Sequence, residues 1–307
     1  MTRVAALDCG TNSLRLLVAD VEGSSLADVV RRMEVVRLGE GVDRTGRLAD
    51  AALDRTFRVL DEYAEIIRSS AVDAIRMVAT SASRDASNRD EFVAGVVQRL
   101  GVEPEVISGE EEAALSFDGA TRELGDSDLI APYLVVDIGG GSTEFVLGET
   151  SGLRAARSVD VGCVRMTERH LRDDPPTGEQ VAAAKADVEA AIDQAAEMVP
   201  IGDAKTLVGL AGSVTTVVAL ALRLPEYDPV QIHHARISAE QVSAVTADLL
   251  ASTRETRAGM SVMHPGRVDV IGGGALVLDT IMKRCGFDEV VASEHDILDG
   301  IAYSAAR

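Results

Sequence analysis

Two stretches of the chain share one pattern of apolar and polar positions. The first is Val4-Ala5-Ala6-Leu7-Asp8-Cys9-Gly10-Thr11-Asn12-Ser13-Leu14-Arg15-Leu16-Leu17-Val18. The second is Val135-Val136-Asp137-Ile138-Gly139-Gly140-Gly141-Ser142-Thr143-Glu144-Phe145-Val146-Leu147-Gly148. Each reads as a strand, a tight Gly/Ser/Thr turn and a second strand. In the first half, strands are expected over 3–8, 13–20 and 28–38, the last ending at Gly39-Glu40-Gly41. Beyond them Leu53, Phe57, Leu60, Ala64 and Ile67 fall three or four apart, one face of a long amphipathic helix. A strand over 74–79 then leads into Thr80-Ser81-Ala82-Ser83-Arg84-Asp85-Ala86, expected as a polar loop. A helix over 88–100, a short strand over 102–107 and a helix opened by Ser108 with Glu111 as a capping box complete this half.

The second half repeats that order. Strands are expected over 133–138, 143–148 and 153–161, and helices over 162–171 and from Thr177, capped with Gln180. A strand at 206–210 runs into a third small-residue turn, Ala211-Gly212-Ser213-Val214-Thr215-Thr216. Ser238 with Gln241 caps a further helix, 268–283 reads as helical through Gly272-Gly273-Gly274, and a strand at 289–292 precedes a final helix over 296–306. Polar residues 122–131 mark the boundary. The expected domains are 1–127 and 128–307, with helix 296–307 packing back on the first. The class is α/β with two similar halves.

Composition narrows the function. The 307 residues are 46% hydrophobic but 3% aromatic, with no Trp, so Ala, Val, Leu and Ile must fill the cores. Thirty basic and fifty acidic residues give a net charge of −20, which argues against nucleic acid or an anionic membrane as partner. Three scattered cysteines suggest neither a disulfide framework nor a zinc cluster. The start of the chain enters a strand directly, and no apolar run approaches the ~18 residues of a membrane span. A soluble cytoplasmic protein is expected.

Side-chain-free glycine turns let backbone N–H groups approach a phosphate, and strand-end aspartates hold Mg2+ through water. Neither the P-loop spacing nor G-x-G-x-x-G is present. Asp137 and Glu144 lie seven apart across a turn, so both can face one cleft. Glu110, Glu111 and Glu112 occupy a first helical turn, where the helix dipole favours acids. Read from the residues alone, Arg84 is a solvated loop charge. Cys9 and Arg15 have the C-x5-R spacing of cysteine phosphatases, but Arg15 falls in a strand expected to point it away from the loop. The five histidines show no metal spacing, and His233-His234 reads as a loop pair. Arg165, Arg169 and Arg172 read as helix-surface charges or, like Arg267, as guides for a polyanion.

The phrases Asp8–Ser13, Asp137–Glu144 and Gly209–Thr216 resemble the phosphate motifs of the exopolyphosphatase/guanosine pentaphosphate phosphatase family. Ala79–Ala86 and Ile107–Ala113 resemble further motifs of that family. The resemblance implies two ribonuclease-H-like domains of the actin, sugar-kinase and heat-shock-chaperone superfamily, with the active site in the interdomain cleft. It implies Glu112 as the base that activates water. Phosphate contacts are implied at Asn12, Ser13, Arg84, Gly139, Gly140, Gly141, Ser142, Thr143, Gly212 and Ser213. Mg2+, with Mn2+ as a substitute, is implied at Asp137, Glu144 and Asp8, in a homodimer acting on inorganic polyphosphate or on pppGpp. The chain ends at Arg307 without the C-terminal helical domain of longer members, so short polyphosphate is the expected substrate. An ATP-binding kinase-like protein and a non-enzymatic phosphate sensor are the alternatives.

Overall fold

Apolar residues on successive positions of the first strand serve two different cores, which sets the layering of the N-terminal half. Ala5, Leu7 and Cys9 join one core cluster, while Val4 and Ala6 join another, as the period of two in a strand requires. The computed structural model describes residues 1–23, 25–122 and 128–306. Its elements run β1 (Thr2–Cys9), β2 (Ser13–Glu22), β3 (Ser25–Val35), α1 (Val42–Thr45) and α2 (Asp50–Ser69). There follow β4 (Ala74–Ala79), α3 (Ser81–Asp85), α4 (Arg89–Leu100), β5 (Glu105–Val106) and α5 (Gly109–Thr121). The second half holds β6 (Tyr133–Ile138), β7 (Thr143–Glu149), β8 (Gly152–Val159), α6 (Cys163–Arg169), α7 (Gly178–Ala196) and β9 (Thr206–Leu210). It continues with α8 (Ala211–Ala221), α9 (Pro229–Ile232), β10 (Arg236–Ser238), α10 (Ala239–Ala251), α11 (Arg254–Ala258), α12 (Ile271–Cys285) and β11 (Glu289–Ala292), and α13 (Ile297–Ala305) follows.

The chain divides into two compact units, one of Met1–Arg122 with the segment that begins at Asp296, the other ending at His295. The expected boundary between 127 and 128 adjoins residues 123–127, which lie outside the described residues. The first unit has a five-stranded sheet in the order β3-β2-β1-β4-β5, and the second a six-stranded sheet in the order β10-β11-β9-β6-β7-β8. In both, an antiparallel meander (β1-β2-β3, β6-β7-β8) pairs its first strand in parallel with a later one (β4, β9). This is the ribonuclease-H-like plan, present twice. Among the described residues no helix is long and apolar enough to cross a membrane.

On one face of the first sheet, Leu53, Leu60 and Ile67 of α2 meet Leu7, Leu14 and Leu16. On the other, Leu115 of α5 and Ile297, Leu298, Ile301 and Ala302 of α13 cover Val4, Ala6, Leu17, Ala19 and Val78. Helices α5 and α13 touch backbone to backbone. A Cβ on Gly119 would stand 1.9 Å from the Asp296 carbonyl oxygen, and one on Gly300 2.0 Å from that of Leu115. Gly119→Ala therefore forces the pair apart and costs about 1–3 kcal/mol. Thermal unfolding should show a lower Tm, and an unchanged Tm would mean that the two helices part freely.

Three local expectations are corrected. The stretch 80–86 is not a loop, because Ser81, Ala82 and Ser83 are small enough to be buried within α3. The strand expected over 102–107 shrinks to Glu105–Val106, pairing β4 only at Val78 and Ala79. Ser108 does cap α5 by accepting from the Glu111 N–H, but the Glu111 carboxylate accepts from Arg76 Nη2 at 2.9 Å.

Candidate active site

In the first unit, Asp8 ends the face of β1 that carries Val4 and Ala6. It stands directly opposite Arg15 across the β1–β2 ladder. Cross-strand neighbours on one face touch, so Arg15, in a strand as expected, meets Asp8 on the face opposite Cys9. Its Nε and Nη2 donate to Asp8 Oδ2 at 2.9 and 2.6 Å, and its Nη1 donates to Oδ2 of Asp296. Asp8 Oδ1 is buried with no hydrogen-bond partner among the described residues. Burial pushes the Asp8 carboxyl up against the pull of Arg15. Asp296 also suffers from burial, but Arg15, the Leu298 N–H and Arg31 outweigh it and hold that carboxyl low. Asp296 and its bond to Arg15 went unforeseen in the sequence, where 281 residues separate the two.

The turn itself is closed by the Gly10 N–H donating to Ser13 O at 3.0 Å, and Asn12 O accepts from the Arg37 N–H. Thr11 Oγ1 meets Ser81 Oγ at 2.9 Å, joining the turn to α3. Asn12 and Ser13 keep half-exposed side chains with no hydrogen-bond partner among the described residues. Cys9 points the other way into the core and is 1% exposed. Burial drives its thiol far above the range in which a thiolate forms.

Helix α3 carries Arg84 to α5. Its Nη1 donates to Ile107 O at 3.0 Å and to Glu112 Oε2 at 3.2 Å. Of the three acids in the first turn of α5, Glu110 and Glu111 are exposed and Glu112 is 8% exposed. Arg84 and Glu112, expected separately, thus pair, with the carboxylate buried and the guanidinium part-buried.

In the second unit, Gly139–Ser142 joins β6 to β7. Its carbonyls are turned to α6: Gly139 O accepts from the Cys163 N–H, and Gly140 O from those of Val164 and Arg165. Arg165 Nε donates to Gly141 O at 2.6 Å, so this arginine braces the turn rather than lying on the surface. With the carbonyls held, the N–H groups of Gly140, Gly141 and Ser142 have no acceptor among the described residues. Such an arrangement suits an anion. Thr143 is a correction, since its hydroxyl donates to Val161 O at 2.6 Å and the residue is fully buried.

Asp137 and Glu144 oppose each other directly in the β6–β7 register, both buried. The Ser158 hydroxyl donates to Glu144 Oε1 at 2.7 Å. Two buried carboxylates on one face of a sheet fit a hard divalent cation, which takes one or two carboxylates and leaves its other positions to water and phosphate. The bare Oδ1 of Asp8 fits the same kind of ion. Asp8 belongs to the other unit, and no group of three His, Cys, Asp or Glu is arranged around a metal among the described residues.

The third turn opens α8, where Ala211 takes φ 66° and no side chain caps the helix. Ser213 packs against Gly274 of α12, where a Cβ would stand 2.2 Å from its Oγ. Arg267 lies over Gly212, where a Cβ would stand 2.1 Å from its Nη2, and donates to Thr216 Oγ1 at 3.1 Å. That puts a cation beside an uncapped helix N-terminus. Arg169 pairs with Asp187, and His233 stacks on His234 with ring centroids 3.8 Å apart.

Exopolyphosphatase 2 of Mycobacterium tuberculosis is 50% identical over 100% of this chain and 99% of its own length. The crystal structure of an exopolyphosphatase-like protein superposes with a TM-score of 0.97 at 46% identity, covering 100% of this chain and 98% of the other. A guanosine-5'-triphosphate,3'-diphosphate pyrophosphatase of Aeromonas salmonicida is 29% identical over 97% of this chain and 58% of its own. The family model described as the Ppx/GppA phosphatase family matches residues 17–307. The chain belongs to the Ppx/GppA phosphatase family.

Proposed function

We propose that this protein is an exopolyphosphatase that hydrolyses the terminal phosphate of short inorganic polyphosphate. The observation that carries this reading is the burial of Glu112 alone among three neighbouring acids, with Arg84 on its carboxylate. Such a carboxylate is held in one orientation, as a general base requires. Water gives a proton to a Glu112 carboxylate oxygen as its own oxygen bonds the terminal phosphorus. The P–O bond to the bridging oxygen breaks, and the shortened chain leaves with the electron pair. Arg84, Asn12, Ser13 and the N–H groups of the glycine turns hold the phosphoryl oxygens, where positioning and charge neutralisation dominate the barrier.

Asp137, Glu144 and Asp8 would hold Mg2+ or Mn2+, which supplies positive charge against the phosphates when bound. A cytoplasmic homodimer belongs to the same proposal. The second reading is a pppGpp phosphatase, favoured by the 29% identity to an enzyme named for that substrate. Free phosphate should be measured after incubation with short polyphosphate, long polyphosphate, pppGpp and ATP, each with Mg2+. Short polyphosphate should be hydrolysed fastest. Faster release from pppGpp would favour the second reading. ATP turnover without polyphosphate turnover would point to a kinase-like protein, and binding without release to a sensor.

A further inference from the structure

The pairing of Asp8 with Arg15 is lopsided in a way that the two residues alone do not explain. A guanidinium facing a carboxylate tends to place two parallel N–H groups on its two oxygens. Here both Nε and Nη2 of Arg15 converge on Oδ2 of Asp8. The remaining nitrogen, Nη1, is taken by Asp296. Asp8 is 4% exposed, yet its Oδ1 has no hydrogen-bond partner among the described residues. An anionic oxygen buried without a partner is costly, so its vacancy points to a ligand.

Asp296 is itself locked. Its Oδ1 accepts from the Leu298 N–H at 3.0 Å, and its own N–H donates to Asp299 Oδ2 at 3.0 Å, a reciprocal cap on α13. Asp299 accepts in turn from Arg31 Nη2 at 2.5 Å. The carboxylate that draws Arg15 aside is therefore fixed by the start of a helix. A mobile surface acid would not hold the guanidinium in one place.

We infer that Asp296 is a positioning residue: by holding Nη1 of Arg15 it confines that guanidinium to Oδ2 of Asp8 and keeps Oδ1 open for a hydrated divalent cation. The inference rests on the metal-assisted reading above, but it concerns cation uptake by the protein alone. Asp296→Asn is the informative change, because asparagine caps a helix as well as aspartate does and keeps the volume. It loses the charge that draws Arg15 aside, and the guanidinium swings to cover both Asp8 oxygens.

The experiment titrates Mg2+ and Mn2+, without substrate, into wild type, Asp296→Asn, Asp8→Asn and the double variant, following calorimetric heat and Tm. The half-saturating concentration should rise tenfold or more, on the order of a lost metal-orienting contact, in both single variants. The double variant should match Asp8→Asn, so metal held by Asp137 and Glu144 cancels from the cycle. The metal-free Tm of Asp296→Asn should stay close to that of wild type. A lowered metal-free Tm with unchanged half-saturation would make Asp296 a helix cap only and overturn the inference. So would additive effects in the double variant, or a wild-type protein that takes up neither ion. Absence of phosphate release would defeat the exopolyphosphatase reading and leave this titration readable.

Discussion

Replacing Glu112 with Gln should lower kcat for phosphate release about 10²–10⁴-fold, the range for loss of a general base. KM for polyphosphate changes little, because glutamine keeps the length, the volume and an oxygen for Arg84 Nη1, which donates to Glu112 Oε2 in the parent. What glutamine lacks is the capacity to take a proton from water. The neighbouring Glu111→Gln serves as the control. Its carboxylate is exposed and bound to Arg76, so kcat should be unaffected. The comparison separates a base from a general need for negative charge at the start of α5, since both substitutions remove one charge from the same helical turn. Equal losses in the two variants would assign the effect to the dipole, and an active Glu112→Gln would remove this residue from the reaction.

Much of the fold was legible because it is written in short-range patterns. The two strand-turn-strand phrases, the apolar face of α2 and the caps Ser108, Thr177 and Ser238 depend on neighbours within a few residues. Each reappears in the structure. The 80–86 stretch misled because serine and threonine favour loops when exposed, whereas here Ser81 and Ser83, with Ala82 between them, are buried and let the chain coil at the end of β4. The candidate site divides along the same line. Asp137 opposite Glu144 follows from a hairpin register that residue spacing already suggests. Asp8 opposite Arg15 follows from the same rule and could have been read in the same way. The Asp296 contact could not, because expecting helix 296–307 to pack back on the first half does not say which of its residues meets Arg15. Arg165 reads as a surface charge or a polyanion guide because a helix pattern does not reveal that a glycine carbonyl lies within its reach. Thr143 looked like a phosphate hydroxyl because hydroxyls in such turns serve either the ligand or the backbone, and only the Val161 carbonyl decides between them.

Asp137→Asn should lower phosphate release about 10²-fold or more at a metal concentration that saturates wild type, comparable to removing one group that stabilises developing charge. The residue lies on β6 between β7 and β9, opposite Glu144 on one side and Leu210 on the other. Asparagine is isosteric there and leaves the ladder intact, so the fold and Tm should be retained. The turn that begins two residues later keeps its N–H groups, so phosphate binding in the absence of metal should persist. The loss therefore belongs to the charge alone. With one carboxylate neutral, Glu144 is left as the single anionic oxygen donor of the pair, its Oε1 already accepting from Ser158. Metal affinity falls accordingly, and raising Mg2+ or Mn2+ should restore part of the activity. Recovery with metal distinguishes a ligand from a residue that merely shapes the turn, whose loss added metal cannot repair. An Asp137→Asn variant with wild-type half-saturation for both ions would exclude this carboxylate from the metal site and leave the glycine turn as a phosphate cradle alone.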